Sequence, residues 1–105
     1  MRFLVIDRGG TIELPPPRGQ DLFMEARDWV KEGIDKGKIK LAYAMSGQMS
    51  SVMVYNVDSN EELDDMLQDY PLSNYAIFEV YPLSDALHSY ETAANAFFRK
   101  GEMAA

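Results

Sequence analysis

The stretch from Ser46 to Leu83 constrains the fold more than any other, because it predicts a strand, a helix and a second strand in succession. Residues 52–55 carry the β-branched and aromatic side chains that a strand favours. Ser59 and Glu62 then have the spacing of a capping box, which predicts the start of a helix. The next apolar residues recur at helical spacing until a proline ends the helix. Residues 75–81 predict the second strand.

The residues before this stretch supply two more strands and another helix. Residues 2–7 form a nearly continuous apolar run that is typical of a buried strand, and residues 38–45 alternate as a second strand does. Between them, residues 21–36 have the apolar spacing of a helix. Gly33 lies on its apolar face, where a glycine predicts close packing of the helix on the sheet. Gly37 predicts the end of that helix.

The remaining segments connect and extend this pattern. The short turn 46–48 predicts a hairpin between the second and third strands, and Pro15–Pro17 predict a stiff polyproline crossover into the first helix. A broad apolar stripe predicts a last helix over about 84–100, with Ser84 as its N-cap. The element order β-α-β-β-α-β with a terminal helix predicts an α+β, ferredoxin-like antiparallel sheet. We expect residues 1–105 to form one domain.

Composition narrows the classes of partner and chemistry. The chain has 10 basic and 17 acidic side chains, a net charge of −7 that argues against binding to nucleic acid or to an anionic membrane. It has no cysteine and one histidine, so we expect no disulfide, no thiolate nucleophile and no metal site. The sequence begins without a signal peptide pattern and has no long apolar run. These features predict a cytoplasmic protein.

Strand alternation predicts which side chains face the helices. Phe3, Val5 and Phe78 suit the helix side of their strands, and Val52 and Val54 are assigned to the same side. The other face of the sheet would carry an apolar and aromatic patch too large to stay exposed, which predicts dimerisation with a ligand cavity between the two sheets. The residues predicted to lie on that bare face and to contribute to the cavity are Arg2, Ser51, Met53, Tyr55, Tyr75, Glu79 and Tyr81.

Glu79 is the ionisable residue of greatest interest on the predicted bare face. Its neighbours on that face are Ile77 and Tyr81, and desolvation by such neighbours raises the pKa of a carboxyl toward the range useful for a general acid or base. A structural alternative is an ion pair between Glu79 and Arg2, because the first and fourth strands are neighbours in this fold.

The residues from Gly37 to Leu83 resemble a known family, and the first helix matches that family more loosely. Gly47, the strand end 55–57, the helix 59–67 and the segment 70–75 running into 79–83 have the spacing of the muconolactone δ-isomerases. About two thirds of the chain carries the resemblance, and the last helix has no counterpart in it.

This resemblance implies a dimeric α/β barrel, a larger ring of such dimers and a role in aromatic compound catabolism. It also implies cofactor-free proton transfer, in which a base removes a proton α to a lactone carbonyl and an acid returns it to shift the double bond. Glu79 and Glu25 are the positions it suggests for proton transfer. Arg2 or Lys40 would hold a carboxylate of the substrate.

Three functions stay open from the sequence. One is an isomerase for a small carbonyl or lactone compound, and another is a cofactorless monooxygenase of the same barrel superfold acting on an apolar aromatic. The third is a non-catalytic oligomeric protein that binds a small apolar or lactone-like ligand. Leu41 and Ala44 occupy positions where the family carries basic and imidazole side chains, so groups expected to bind an anionic lactone are missing.

Overall fold

The computed structural model describes the backbone of residues 1–9 and 18–104 and the side chains of residues 1–9 and 18–97. The polyproline crossover predicted at Pro15–Pro17 lies outside these residues. The elements in chain order are β1 (Arg2–Gly9), α1 (Arg18–Asp35), β2 (Ile39–Ala44), β3 (Ser50–Asn56), α2 (Asn60–Asp69), a 3₁₀ turn (Ser73–Tyr75), β4 (Ala76–Leu83) and α3 (Ala86–Ala104).

The four strands form one antiparallel sheet in the order β2-β3-β1-β4. β1 lies in the centre, paired with β3 on one side and with β4 on the other. Its apolar run suits this position, because alternate side chains of the central strand face the helices, where Phe3 and Val5 are buried. The predicted α+β, ferredoxin-like plan is therefore confirmed.

The hydrophobic core lies between the sheet and the two helices α1 and α2. Apolar side chains from three strands meet those of α2 in one cluster, and a second cluster joins α1 to the segment after α2. Trp29, Val30 and Phe78 pack against both clusters. The first cluster consists of Phe3, Val5, Ile39, Met53, Tyr55, Val57, Leu63 and Leu67, and the second of Leu22, Ala26, Tyr70 and Leu72.

The face assigned to β3 from its sequence is wrong. Met53 and Tyr55 are buried in the core beneath the helices, whereas Val52 and Val54 lie on the opposite face and are only half-buried. The pairing of Met53 with Val5 of β1 sets this register. Residues 52–55 are all apolar or aromatic, so alternation alone did not show which of them face the helices. A shift of one residue in the pairing register moves each side chain to the opposite face of the sheet.

Close packing of α1 on the sheet is confirmed at Gly33. A Cβ atom at this position would lie 2.6 Å from Cδ1 of Ile39, which is itself 1% exposed. Gly37 has φ = 75°, the left-handed conformation that a glycine adopts readily after a helix. Its amide donates to the carbonyl oxygen of Ile34, and the Lys38 amide donates to that of Gly33, so the helix ends as predicted.

The start of α2 follows the predicted capping pattern with one difference. The Ser59 hydroxyl accepts a hydrogen bond from the Glu62 amide at 3.1 Å, as expected for an N-cap. The Glu62 carboxylate accepts from the Asp58 amide at 3.0 Å, one residue before the N-cap. α2 is held to α1 by the Trp29 indole, whose Nε1 donates to the Asp69 carboxylate at 3.0 Å.

The last helix, α3, extends away from the body of the domain. Each side chain described in it, from residue 86 to residue 97, is exposed. The chain as a whole measures 68 × 28 × 23 Å. The amide of His88 donates to the Asp85 carboxylate at 3.0 Å, so Asp85 provides the capping bond that the sequence assigned to Ser84. The described part of α3, residues 86–97, therefore does not pack on its own subunit.

Candidate functional site

A pocket of about 650 Å³ lies between α1 and the helix-facing side of the sheet. It is at the end of the sheet where β1 ends and β3 begins, and the segment after α2 closes one side. Most of its lining is apolar. The lining residues are Asp7, Gly9, Phe23, Ala26, Arg27, Val30, Ala42, Tyr43, Ala44, Gln48, Met49, Ser50, Ser51, Met53, Tyr70, Leu72, Tyr75 and Ala76.

Asp7 is the carboxylate of this pocket. β1 alternates so that Asp7 follows Phe3 and Val5 on the helix side, and these two residues are fully buried. Burial raises the pKa of the Asp7 carboxyl above its ordinary value, and the interaction with the Tyr70 hydroxyl opposes that shift only in part. A carboxyl with a raised pKa inside an apolar pocket can exchange a proton with a bound molecule.

Two hydroxyl groups accompany Asp7 at this end of the pocket. Ser51 is paired with Asp7 in the β1–β3 register, and its Oγ is buried without a hydrogen-bond partner among the described residues. Tyr70 packs edge-on against Trp29 and Phe78. Burial and the Asp7 charge raise the pKa of the Tyr70 hydroxyl, so it stays protonated and can donate a hydrogen bond. One acid–base group and two potential donors therefore converge here.

Three residues predicted from the sequence to bind a ligand do line the pocket. They are Ser51, Met53 and Tyr75, and they lie on the helix side of the domain rather than on the bare face. Tyr55 is buried next to them in the core, where its hydroxyl lies 3.7 Å from Sδ of Met53. Burial raises the pKa of the Tyr55 hydroxyl.

Glu79 lies away from the pocket, on the bare face of the sheet. Its carboxylate accepts hydrogen bonds from Nε of Arg8 at 2.7 Å and from the Tyr81 hydroxyl at 3.1 Å. These donors lower the pKa of Glu79, the opposite of the shift expected from its apolar neighbours. The alternative partner, Arg2, is also wrong: β4 runs antiparallel to β1, so Arg2 is opposite Leu83.

The remaining predicted residues lie on the surface outside the pocket. Glu25 is exposed on α1, where it lies 3.4 Å from Arg18. Arg2 and Lys40 are exposed near the ends of their strands. The described side chains place a different cation at the pocket, Arg27 of α1, whose guanidinium donates to Asp28 at 3.0 Å.

Sequence reasoning missed Asp7, Tyr70 and Arg27. A signal for Asp7 was present, because it shares the period-two alternation of Phe3 and Val5 and so belongs on the buried face of β1. Tyr70 was recognised only as part of the apolar stripe of α2. Its place beside Asp7 depends on where the segment after α2 packs against α1 and the sheet, which is a tertiary contact.

The model of the muconolactone delta-isomerase family matches residues 1–89 of this chain. The chain belongs to that family. Muconolactone Delta-isomerase of Acinetobacter baylyi is 29% identical to it over 73 residues, which are 70% of this chain and 76% of the relative. The resemblance seen in the sequence is therefore confirmed. The family match ends within the first turns of α3, so most of that helix lies outside it.

Solved structures show the same fold. A crystal structure of muconolactone isomerase superposes with a TM-score of 0.74 at 23% identity, covering 81% of this chain and 90% of that one. The 5-chloro-2-hydroxyhydroquinone dehydrochlorinase of Burkholderia phenoliruptrix, in complex with 2,5-dihydroxybenzoquinone, superposes with a TM-score of 0.61 at 16% identity. That match covers 84% of this chain and 98% of the dehydrochlorinase.

Two kinds of feature are absent from the residues that the structure describes. None of the helices in this part of the chain combines the length and apolar character needed to cross a membrane. Residues 1–9 and 18–97 also contain no group of three or more His, Asp or Glu side chains arranged to hold a metal ion.

Proposed function

We propose that the chain catalyses a cofactor-free isomerisation of a small carbonyl or lactone compound, with Asp7 as the group that transfers the proton. The observation that carries the proposal is the Asp7 carboxyl, whose pKa burial raises inside an otherwise apolar pocket. Membership of the muconolactone delta-isomerase family supports the reaction class. Asp7 replaces Glu79 and Glu25 as the favoured acid–base residue because both glutamates lie outside the pocket.

The reaction needs one proton to move between two carbon atoms. The ionised Asp7 carboxylate removes the proton α to the carbonyl, and the electrons of that C–H bond delocalise onto the carbonyl oxygen and, across the adjacent C=C bond, onto the γ carbon. Asp7 then delivers a proton to the γ carbon, either the one it removed or one that has exchanged with water, which shifts the double bond without an oxidant or reductant. The Ser51 and Tyr70 hydroxyls can donate to the negative oxygen of the intermediate.

The lining of the pocket favours a substrate with little charge. Ala42 and Ala44 of β2 offer no cation, and the one arginine at the pocket, Arg27, already donates to Asp28. We therefore propose a neutral or singly charged ring compound, with any carboxylate placed toward Arg27. A pocket of about 650 Å³ is large enough for one ring with substituents.

Deuterium exchange tests the role of Asp7. Muconolactone and a set of neutral butenolides would be incubated with the protein in D₂O, and proton NMR would follow the loss of signal at the α and γ carbons, between which the proton moves. Asp7→Asn should lower the exchange rate by about 10²-fold or more, the usual contribution of a general acid–base residue. Asp65→Asn, an exposed carboxylate on α2, is the matched control and should exchange at the wild-type rate.

Glu79→Gln separates this proposal from the one that the sequence suggested. With its pKa lowered by Arg8 and Tyr81, Glu79 is a weak base, so the variant should change the rate by less than about threefold. Loss of exchange in Glu79→Gln with retained exchange in Asp7→Asn would show that the base lies on the bare face. Tight binding of a butenolide with no exchange by the wild type would favour the non-catalytic binding protein.

We also propose that the bare face of the sheet is covered by a second copy of the chain. Ile77, Tyr81 and Leu41 are exposed on that face around the half-buried residues of the central strands. Such pairing is the dimeric barrel that the family resemblance implies. Ile77→Lys should reduce the molar mass measured by light scattering, and an unchanged mass would argue against this interface. The pocket beside Asp7 lies on the opposite side of the sheet from this face.

A further inference from the structure

The helix α3 presents one apolar seam that its own subunit leaves uncovered. Leu87, Tyr90 and Phe97 are 71%, 75% and 80% exposed. Together with Ala94 they follow a spacing of three, four and three residues. This is the a/d spacing by which one helix packs along another helix, and it lies within the broader apolar stripe of α3.

The exposed surface of the chain is also larger than that of a compact monomer. It totals 7811 Å², whereas a compact protein of 11.9 kDa exposes about 5,900 Å². The radius of gyration is 18.4 Å against about 13 Å for a compact chain of this length. The excess of about 1,900 Å² is more than the roughly 800 Å² that each partner contributes to a standard interface.

We propose that α3 pairs antiparallel with the α3 of a second copy of this chain. The seam is self-complementary about a two-fold axis at Thr92, because Leu87 then meets Phe97 and Tyr90 meets Ala94 of the other helix. Each contact then occurs twice, once on either side of the axis, as an isologous interface requires. Packing Tyr90 over the small Ala94 lets the two helices approach closely.

The charges of the segment favour the antiparallel direction. Residues 85–94 contain two acidic and no basic side chains, whereas residues 95–104 contain two basic and one acidic. Antiparallel pairing places the acidic half of one helix beside the basic half of the other, and it also opposes the two helix dipoles. Parallel pairing would place like charges together. Most of α3 lies outside the family match, so this interface is a feature of the chain's own extension.

Disulfide trapping tests the pairing and its direction, since the natural chain has no cysteine. Full-length Tyr90→Cys and Ala94→Cys chains, one carrying a mass tag, would be mixed and oxidised under mild conditions. We expect the mixed disulfide to exceed either self-disulfide at least about tenfold, because a and d positions face each other only in the antiparallel pair. Dominant self-disulfides would indicate parallel helices and overturn the proposal.

Sedimentation equilibrium measures how tightly the chains associate through α3. Leu87→Glu/Phe97→Glu places charges in the seam and should raise the dissociation constant at least about 30-fold. Ser89→Glu/Ala96→Glu adds the same charges on the outer side of α3 and should leave association unchanged. Circular dichroism would verify that both double variants keep the fold, as expected because the described α3 side chains are exposed. Equal association of the two double variants, with no mixed disulfide, would show that α3 is not the interface.

Discussion

Gly33→Ala is a direct test of how α1 is held against the sheet. A Cβ added at Gly33 would lie 2.6 Å from Cδ1 and 2.9 Å from Cγ1 of Ile39, closer than carbon atoms approach in folded proteins. Ile39 is 1% exposed and therefore has little room to move. Overpacking of this kind costs about 1–3 kcal/mol, and the better helix propensity of alanine offsets about 1 kcal/mol of it.

The net expectation for Gly33→Ala is a loss of about 0–2 kcal/mol in the free energy of unfolding. For a domain of this size each 1 kcal/mol corresponds to a Tm change of about 4–8 °C. Urea unfolding followed by circular dichroism, at a fixed chain concentration, would measure it. Lys31→Ala, on the exposed side of α1, is the control and should stay within about 0.5 kcal/mol of the wild type.

A double-mutant cycle with Ile39 shows whether this contact causes the change in the free energy of unfolding. Ile39→Val removes Cδ1, the atom nearest the added Cβ, and on its own should cost about 0.5–1.5 kcal/mol. The double variant should lose less free energy of unfolding than the sum of the two single losses, with a coupling free energy of about 1 kcal/mol. A stabilising Gly33→Ala together with zero coupling would refute the packing argument.

The remaining predictions concern the other contacts of the two core helices and the pocket. Ser59→Ala should lower the free energy of unfolding by about 1 kcal/mol through loss of the N-cap bond, while Ser59→Asp should retain most of it. Trp29→Phe removes the hydrogen bond to Asp69 and should cost about 0.5–1.5 kcal/mol by urea unfolding; a neutral result would mean that water replaces this bond fully. Asp7→Asn should raise the Tm at pH 7, because the raised pKa of Asp7 means that its charged form destabilises the native state. That gain should shrink as the pH falls through the folded pKa and vanish below the ordinary value of 3.8, so a gain that is constant with pH would contradict it.

Much of the fold could be predicted because its signals are local. Capping at Ser59, the left-handed Gly37 and the apolar spacing of each helix depend on residues a few positions apart. The family resemblance followed from the same kind of signal, the spacing from Gly47 to the end of β4. These predictions are confirmed because they depend on no contact between residues distant in sequence.

The site was predicted less well because it depends on which face of each strand is buried. On β3 both alternating sets are apolar, so Met53 and Val54 were equally suited to the core. On β2 simple alternation would place Ile39 and Leu41 on one face, but a shift in register between them separates the two side chains. Ser51 and Met53 were named as ligand contacts, yet on the face opposite to the one they occupy.

The sequence by itself determined the order of elements and the α+β class, since these follow from periodicity and capping along the chain, and its motifs carried the resemblance to the family. Only the tertiary structure decided that Asp7, Ser51 and Tyr70 share one pocket and that Glu79 is bound to Arg8 on the bare face. The reason is physical: the pKa of a carboxyl depends on burial and on donors from other strands and helices, and pairing register determines both. The strand–helix–strand stretch from Ser46 to Leu83 supplies one side of the pocket, and the carboxylate comes from the first strand.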